Sequence, residues 1–152
     1  MKVLGIESSC DETACAIVED GHNIISNVVA TQIPFHQVYK GVVPEIASRK
    51  HAEWILPVVR QALAEADMTL DQVDAIAATN RPGLMGSLLV GLTFAKTLAW
   101  SAGKPFYAVN HMLGHMYAAH LENDIQYPYL GLLVSGGHSI ICKVNNFDDL
   151  EI

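Results

Sequence analysis

Residues 2–32 carry three short β-rich runs broken by polar turns, and residues 44–121 then alternate long helical patterns with short apolar runs. This succession constrains the fold more than any other feature of the chain. A strand-rich opening followed by alternating helices and strands asks for one mixed sheet with helices packed on it. The first runs are Lys2–Glu7, residues 13–19 after the turn Ser8-Ser9-Cys10-Asp11-Glu12, and residues 23–32 after Asp20-Gly21, so the chain opens as an antiparallel meander. A helix is expected over 44–66, with Pro44 suited to its first turn and apolar positions at Ile46, Ala47, Ile55, Val58, Val59, Ala62 and Leu63, disturbed at Pro57. A strand over 73–79, a Pro-Gly turn, a helix over 84–101, a strand over 105–109 and a helix over 111–121 follow. The expected class is α/β with a mixed sheet in the order βββαβαβα.

After a loop a new hairpin begins, Tyr129–Val134 and residues 139–144, joined by Ser135-Gly136-Gly137-His138. It echoes the opening one. Val3-Leu4-Gly5-Ile6-Glu7 and Tyr129-Leu130-Gly131-Leu132-Leu133 each run into a small-residue turn and an apolar return strand, as a duplicated lobe would; two unrelated hairpins can look the same. On the duplicated reading residues 1–123 form one lobe and residues 124–152 the start of a second, cut short at Ile152.

A chain of 152 residues with 51% hydrophobic composition buries a core, whereas a formal net charge of -7 argues against gripping nucleic acid through bulk positive charge. Any RNA contact is expected to be local or shared. The 3 cysteines, Cys10, Cys15 and Cys142, form no Cys-x-x-Cys pair and suggest neither a disulfide framework nor a zinc ribbon. They read as buried or bystander thiols in a reducing cytosol. The apolar stretch from Pro82 to Ala95, carrying Gly83, Gly86 and Gly91, falls short of the ~18 residues of a membrane span and reads as a buried helix.

Several motifs could carry chemistry. His111-Met112-Leu113-Gly114-His115 directly follows a strand, and an i, i+4 pair sets two imidazoles about 40° apart on one helix face, a metal-ligand spacing. Two ordinary half-buried histidines give the same pattern, but the pair lies at the carboxyl end of a strand, where open α/β sheets bind ligands. His120 points to the other side of the helix. A His-Glu-x-x-His peptidase needs a glutamate where this chain has Met112, so that mechanism is missing. With a carboxylate from elsewhere the two histidines would make a site suited to iron or another divalent metal.

The turn Glu7-Ser8-Ser9-Cys10-Asp11-Glu12-Thr13 packs more carboxylates and hydroxyls together than a tight hairpin needs. Ser135-Gly136-Gly137-His138 lets backbone N–H groups approach an anion, although a Gly-Gly turn by itself is usually only a turn. Pro82-Gly83-Leu84-Met85-Gly86-Ser87 leads into a helix N-terminus that favours anions but lacks the Lys-Ser/Thr of a P-loop; Gly86 and Gly91 read as sites of close packing. Lys40, Arg49, Lys50 and His51 are the best local candidates for a phosphate contact, though a solvated helix end explains them more simply.

Taken in order, Glu7 to Thr13, Gly41-Val42-Val43-Pro44-Glu45-Ile46-Ala47-Ser48-Arg49, Pro82-Gly83-Leu84, His111-Met112-Leu113-Gly114-His115 and Val134-Ser135-Gly136-Gly137-His138 resemble the tRNA N6-adenosine threonylcarbamoyltransferase family, formerly called glycoproteases. The resemblance covers nearly the whole chain. It implies the actin-like ATPase architecture, a ribonuclease-H-like lobe followed by the first hairpin of a similar second lobe. It also implies acyl transfer of threonylcarbamoyl from threonylcarbamoyl-AMP to N6 of the adenosine 3′ of the anticodon, in tRNAs reading codons that begin with A. By the same resemblance His111 and His115 bind a divalent metal, usually iron(II), with a third ligand from the second lobe. Val134, Ser135, Gly136, Gly137 and His138 bind the adenylate, and Asp11 and Glu12 line the catalytic cleft. Implied partners are tRNA and, in bacteria, an inactive paralogue docking on the N-terminal lobe and a small P-loop ATPase; a homodimer of the fragment is a further expectation, and no membrane is implied. Arg81 departs from the family, which usually has glycine before Pro82-Gly83. The competing readings are the non-catalytic paralogue itself, which would not be expected to keep His111 and His115, then a sugar kinase or a metallopeptidase.

Overall fold

The computed structural model describes residues 1–121, 123–134, 139–147 and 149–151. They fall into two compact units, Met1–His111 and Met112–Ile152. In the first unit β1 (Lys2–Glu7), β2 (Glu12–Glu19) and β3 (Asn23–Thr31) form the expected meander, and β4 (Ala75–Arg81) and β5 (Phe106–Asn110) join it in the sheet order β3-β2-β1-β4-β5. β1 pairs antiparallel with β2 and parallel with β4, which pairs parallel with β5, so the sheet is mixed.

The register explains the core. Val28, Cys15, Ile6, Ala78 and Ala108 stand side by side across the strands, as do Ser26, Ile17, Leu4, Ile76 and Phe106. Residues opposite one another share a sheet face, so these two rows make one apolar surface. Two helices cover it. α2 (Pro44–Glu65) buries Ala47, His51, Ile55, Val58, Val59 and Ala62, and α3 (Met85–Ser101) buries Ser87, Leu88, Gly91, Ala95 and Ala99. Spacings of three and four put each set on one helix face.

Several boundaries differ from the sequence expectation. α2 runs unbroken through Pro57, because Pro57 and Glu53 both lie on the exposed side, where the carbonyl that loses its donor faces solvent. A short α1 (Ile33–His36) and a 3-10 turn (Gln37–Tyr39) occupy what reads as loop, with Pro34 in the first helical turn. β4 starts at Ala75 and runs on to Arg81, whose side chain is exposed. The last helix, α4 (His111–Ala118), gives way to a 3-10 turn at Ala119–Leu121.

The glycines of α3 explain how closely it packs. A Cβ on Gly91 would sit 2.1 Å from Ser8 Oγ, and one on Gly86 would sit 3.1 Å from Ser48 Cβ of α2. Before the helix, a Cβ on Gly83 would come within 2.7 Å of the Ser9 carbonyl oxygen.

In the second unit β6 (Tyr129–Val134), β7 (Ser139–Asn146) and β8 (Asp149–Glu151) form an antiparallel sheet around buried Met116, Cys142 and Val144. β8 was not expected; three residues are too few for a periodic signal. Among the described residues no helix is long and apolar enough to cross a membrane. The packing yields a prediction. Gly91→Val should destabilise the protein by ~1–3 kcal/mol through overpacking, read as a lower urea midpoint. Gly41→Ala, which has open space around its added methyl, should leave the midpoint nearly unchanged.

Candidate functional site

The carboxyl ends of the parallel strands β1, β4 and β5 carry Glu7, Thr79 and Asn110, and α4 opens with His111 directly after β5. Glu7 is the hub. Its carboxylate accepts hydrogen bonds from the Ser9 backbone N–H, from Thr79 Oγ1 at 2.5 Å and from His111 Nδ1 at 3.2 Å. Burial works against the charge on Glu7, but the bonds from His111, Ser9 and Thr79 outweigh it and hold the carboxyl down to about 2. The same contact raises the His111 pKa, against the opposing effect of its own burial. With Glu7 ionised, His111 must carry its proton on Nδ1, and Ser9 Oγ lies 3.2 Å from that nitrogen.

A buried polar network lies behind this turn. His51, fully buried in α2, donates from Nε2 to the Cys10 carbonyl at 3.0 Å and accepts at Nδ1 from Thr13 Oγ1 at 2.8 Å. The carbonyl has no proton to give, so the donating nitrogen fixes the neutral tautomer. Gln32 Nε2 is 3.4 Å from the Ala47 carbonyl and 3.5 Å from His51 Nδ1, and its Oε1 accepts from His36 Nε2 at 3.2 Å. Val43 N–H donates to His36 Nδ1 at 3.3 Å. Ser87 Oγ makes a second, longer contact of 3.4 Å to the Cys10 carbonyl, and Ser8 Oγ donates to the Ser87 carbonyl at 2.9 Å.

The residues expected at the site are placed unevenly. Asp11 is half-buried in the turn and Glu12 is exposed at the start of β2. His111 is held by Glu7, and His115 is exposed four residues on in α4. Val134 is exposed at the end of β6, while Ser135, Gly136, Gly137 and His138 lie outside the described residues. Among the described residues no group of three or more His, Cys, Asp or Glu side chains is placed to hold a metal. Of the expected phosphate contacts, His51 is removed by burial, Arg49 pairs with Glu45 at 2.7 Å, and Lys50 pairs with Glu53 at 2.7 Å. Cys15 and Cys142 are buried and Cys10 is exposed; burial pushes the Cys10 thiol up to about 11, so it is a poor nucleophile at neutral pH.

Sequence reasoning missed Glu7 as the partner of His111, and missed the His51 network altogether. A signal for each was present. Glu7 ends an apolar strand at the ligand-binding edge of a parallel sheet. His51 stands midway between Ala47 and Ile55 on the apolar stripe of its helix.

The model of the TsaD family, tRNA N6-adenosine threonylcarbamoyltransferase, matches residues 23–152 of this chain. The chain belongs to that family. A tRNA N6-adenosine threonylcarbamoyltransferase of Treponema denticola is 82% identical over 152 residues, covering 100% of this chain and 45% of that protein. One of Brachyspira hyodysenteriae is 53% identical over 152 residues with the same coverage. The chain thus spans about half the length of the curated relatives it matches. Among solved structures, YeaZ from Pseudomonas aeruginosa is similar with a TM-score of 0.58 at 21% identity, over 92% of this chain and 63% of that one. The Aquifex aeolicus PPX-GPPA enzyme is similar with a TM-score of 0.50 at 13% identity, over 99% of this chain and 51% of that one. At such identities the likeness concerns the fold, and the fold is the actin-like, ribonuclease-H-like one that the TsaD resemblance implied.

The His51 network predicts a pH dependence. Burial lowers the His51 pKa below its ordinary 6.5, with the Cys10 carbonyl and the charges of Glu7 and Asp11 opposing and His36 adding to the shift. As pH falls the unfolded chain therefore takes up this proton first, so the contribution is whole above 6.5 and is lost as pH drops through the lower folded value. The raised His111 pKa works in the opposite sense over the same range, so the His51 contribution is read by difference. Between about pH 7.5 and pH 5, above the carboxylate range, the urea midpoint of wild type should lose ground relative to that of His51→Gln as pH falls.

Proposed function

We propose that the full-length protein transfers the threonylcarbamoyl group of threonylcarbamoyl-AMP to N6 of the adenosine 3′ of the anticodon, in tRNAs reading codons that begin with A. The observation that carries this reading is the match of the TsaD family model to residues 23–152. The geometry supports it through the Glu7–His111 contact, since imidazoles that ligate metals are held by a carboxylate on their other ring nitrogen. His111 and His115 would hold a divalent metal, iron(II) by resemblance, and a third ligand would come from the part of the relatives that this chain does not span. When bound, that metal supplies Lewis-acid polarisation of the carbamoyl carbonyl.

The chain's own residues divide the remaining work. Glu7 orients His111 and fixes its tautomer. Asp11 or Glu12 takes the proton from the N6 amine as its nitrogen attacks the carbamoyl carbon, and the bond from that carbon to the phosphate oxygen breaks to release AMP. Val134, Ser135, Gly136, Gly137 and His138 would bind the adenylate, with backbone N–H groups facing its phosphate. Residues 1–123 would form the first actin-like lobe, and residues 124–152 the opening of the second. A cytosolic setting suits a tRNA substrate.

An inactive paralogue of the same fold is the proposed partner of the first lobe, with a P-loop ATPase completing the bacterial assembly. Exposed Met85, Leu89 and Trp100 on α3 support such docking, and a homodimer of the fragment would use the same face.

Two measurements test this function. Full-length protein with its partners, bicarbonate and ATP should incorporate labelled threonine into tRNA, and His111→Ala with His115→Ala should abolish incorporation. No incorporation by wild type, with the adenylate shown to be made, would sink the transferase reading. Glu7→Gln should weaken metal binding ~10- to 100-fold in a titration of the full-length protein; unchanged affinity would remove Glu7 from the orienting role.

A further inference from the structure

The backbone of the turn that carries Asp11 is anchored from three directions. The Ser9 carbonyl accepts from the Leu84 N–H at 2.7 Å, where α3 begins. The Asp11 carbonyl accepts from the Gln32 N–H at 2.9 Å, just after β3. Between them the Cys10 carbonyl accepts from His51 of α2 at 3.0 Å, with Ser87 of α3 at 3.4 Å. Three successive carbonyls therefore point inward to three elements, and Asp11 and Glu12 follow at a backbone whose position those elements set. Of the three anchors, only the middle one relies on side chains alone.

That anchor is itself braced. Thr13, the residue after Glu12, is fully buried and bonds the other ring nitrogen of His51, so one imidazole spans the turn from Cys10 to the first buried residue of β2. Gln32 reaches the same nitrogen and also contributes the backbone bond to Asp11. An apolar side chain in place of His51 would take the ring donor from the part-buried Cys10 carbonyl and the acceptor from the buried Thr13 hydroxyl, a loss that movement of the turn would relieve.

We infer that His51 is a positioning residue for the proposed transfer: by clamping the Cys10 carbonyl it holds the Asp11–Glu12 backbone in place without touching substrate. The inference rests on the transferase reading above. It requires that a donor at the Nε2 position matter more than the packing of the ring.

The test uses full-length protein with its partner proteins, preformed threonylcarbamoyl-AMP and a tRNA substrate. His51→Asn keeps an acceptor near Thr13 but is too short to reach the Cys10 carbonyl, whereas His51→Gln can place its amide where Nε2 lies. His51→Asn should lower kcat on the order of 10²-fold, the cost of a small misplacement at a reacting centre, with metal affinity and KM for tRNA unchanged. His51→Gln should restore at least about tenfold of that loss. A folded His51→Asn with wild-type kcat, equal kcat for the two variants, or a parallel loss of metal affinity would each overturn the inference. Should His51→Asn not fold, Ser87→Ala decides: lowered kcat with intact metal affinity supports the clamp, and wild-type kcat overturns it. A wild type that transfers nothing sinks the transferase reading and the inference with it, whereas an active wild type beside a fully active His51→Asn sinks the inference alone.

Discussion

The approach of α3 to the first turn governs the rest of the first unit. Gly91 has no side chain, and the space a methyl would take is filled by Ser8 Oγ, which donates to the Ser87 carbonyl one helical turn earlier. Gly83 meets the Ser9 carbonyl in the same way, and Leu84 N–H bonds it. A larger residue at either glycine would lift the helix start from the strand end. The separation of β1 from α3 is thus set by atoms of the turn, and the turn is where Glu7, Asp11 and Glu12 sit. Fold and candidate site share one constraint.

The electrostatics follow from that arrangement. Burial penalises an ionised carboxylate, and Glu7 stays ionised only because the Ser9 N–H, the Thr79 hydroxyl and the His111 ring all donate to it. Those donors come from the turn, from β4 and from α4, so the charge is stable only when the strand ends are assembled. His51 is the complementary case. Its neutral form suits a site where a carbonyl accepts at one nitrogen and a hydroxyl donates at the other. One group is kept charged and the other neutral on either side of the same turn, Glu7 at the end of β1 and His51 in α2, and in each case the partners decide.

Periodicity carried the architecture because its elements are long or strictly alternating. β1 was expected at the residues where it lies, and α2 and α3 to within a residue at each end. What failed was short or set by distant contacts. α1 and β8 have too few residues for a period to register. The Pro57 disturbance did not occur because exposure, which a local rule cannot see, relieved it. In the candidate site, motif order pointed to His111, Asp11 and Glu12, yet the contacts of Glu7, Thr79 and His51 that hold His111 and the turn run across 38 to 104 positions, and Gln32 meets Asp11 and His51 from just after β3. Local patterns name candidate residues more readily than the groups that support them, because a support is defined by the atom it meets.

Charge sets a last condition on the proposed reaction. With 9 Lys and Arg against 16 Asp and Glu, this chain repels a phosphate backbone on average. Arg49 and Lys50 already face Glu45 and Glu53, and His51 is inside the core. Exposed pairs of this kind are held by only ~0.2–1 kcal/mol, so a phosphate could displace Glu45 from Arg49 at little cost. Lys50 is less available, since Phe35 and Trp54 also face its ammonium group, at 4.7 and 5.5 Å from ring centroid to Nζ. One exchangeable arginine beside a held lysine, with the exposed Lys40 earlier in the chain, is a small cationic footprint for a nucleic acid. On the proposed function, RNA binding would draw on further cationic surface, from the rest of a full-length protein or from the proposed partners. On the same reading, discrimination within these residues would fall to the turn that carries Asp11 and Glu12, whose backbone is fixed by its hydrogen bonds.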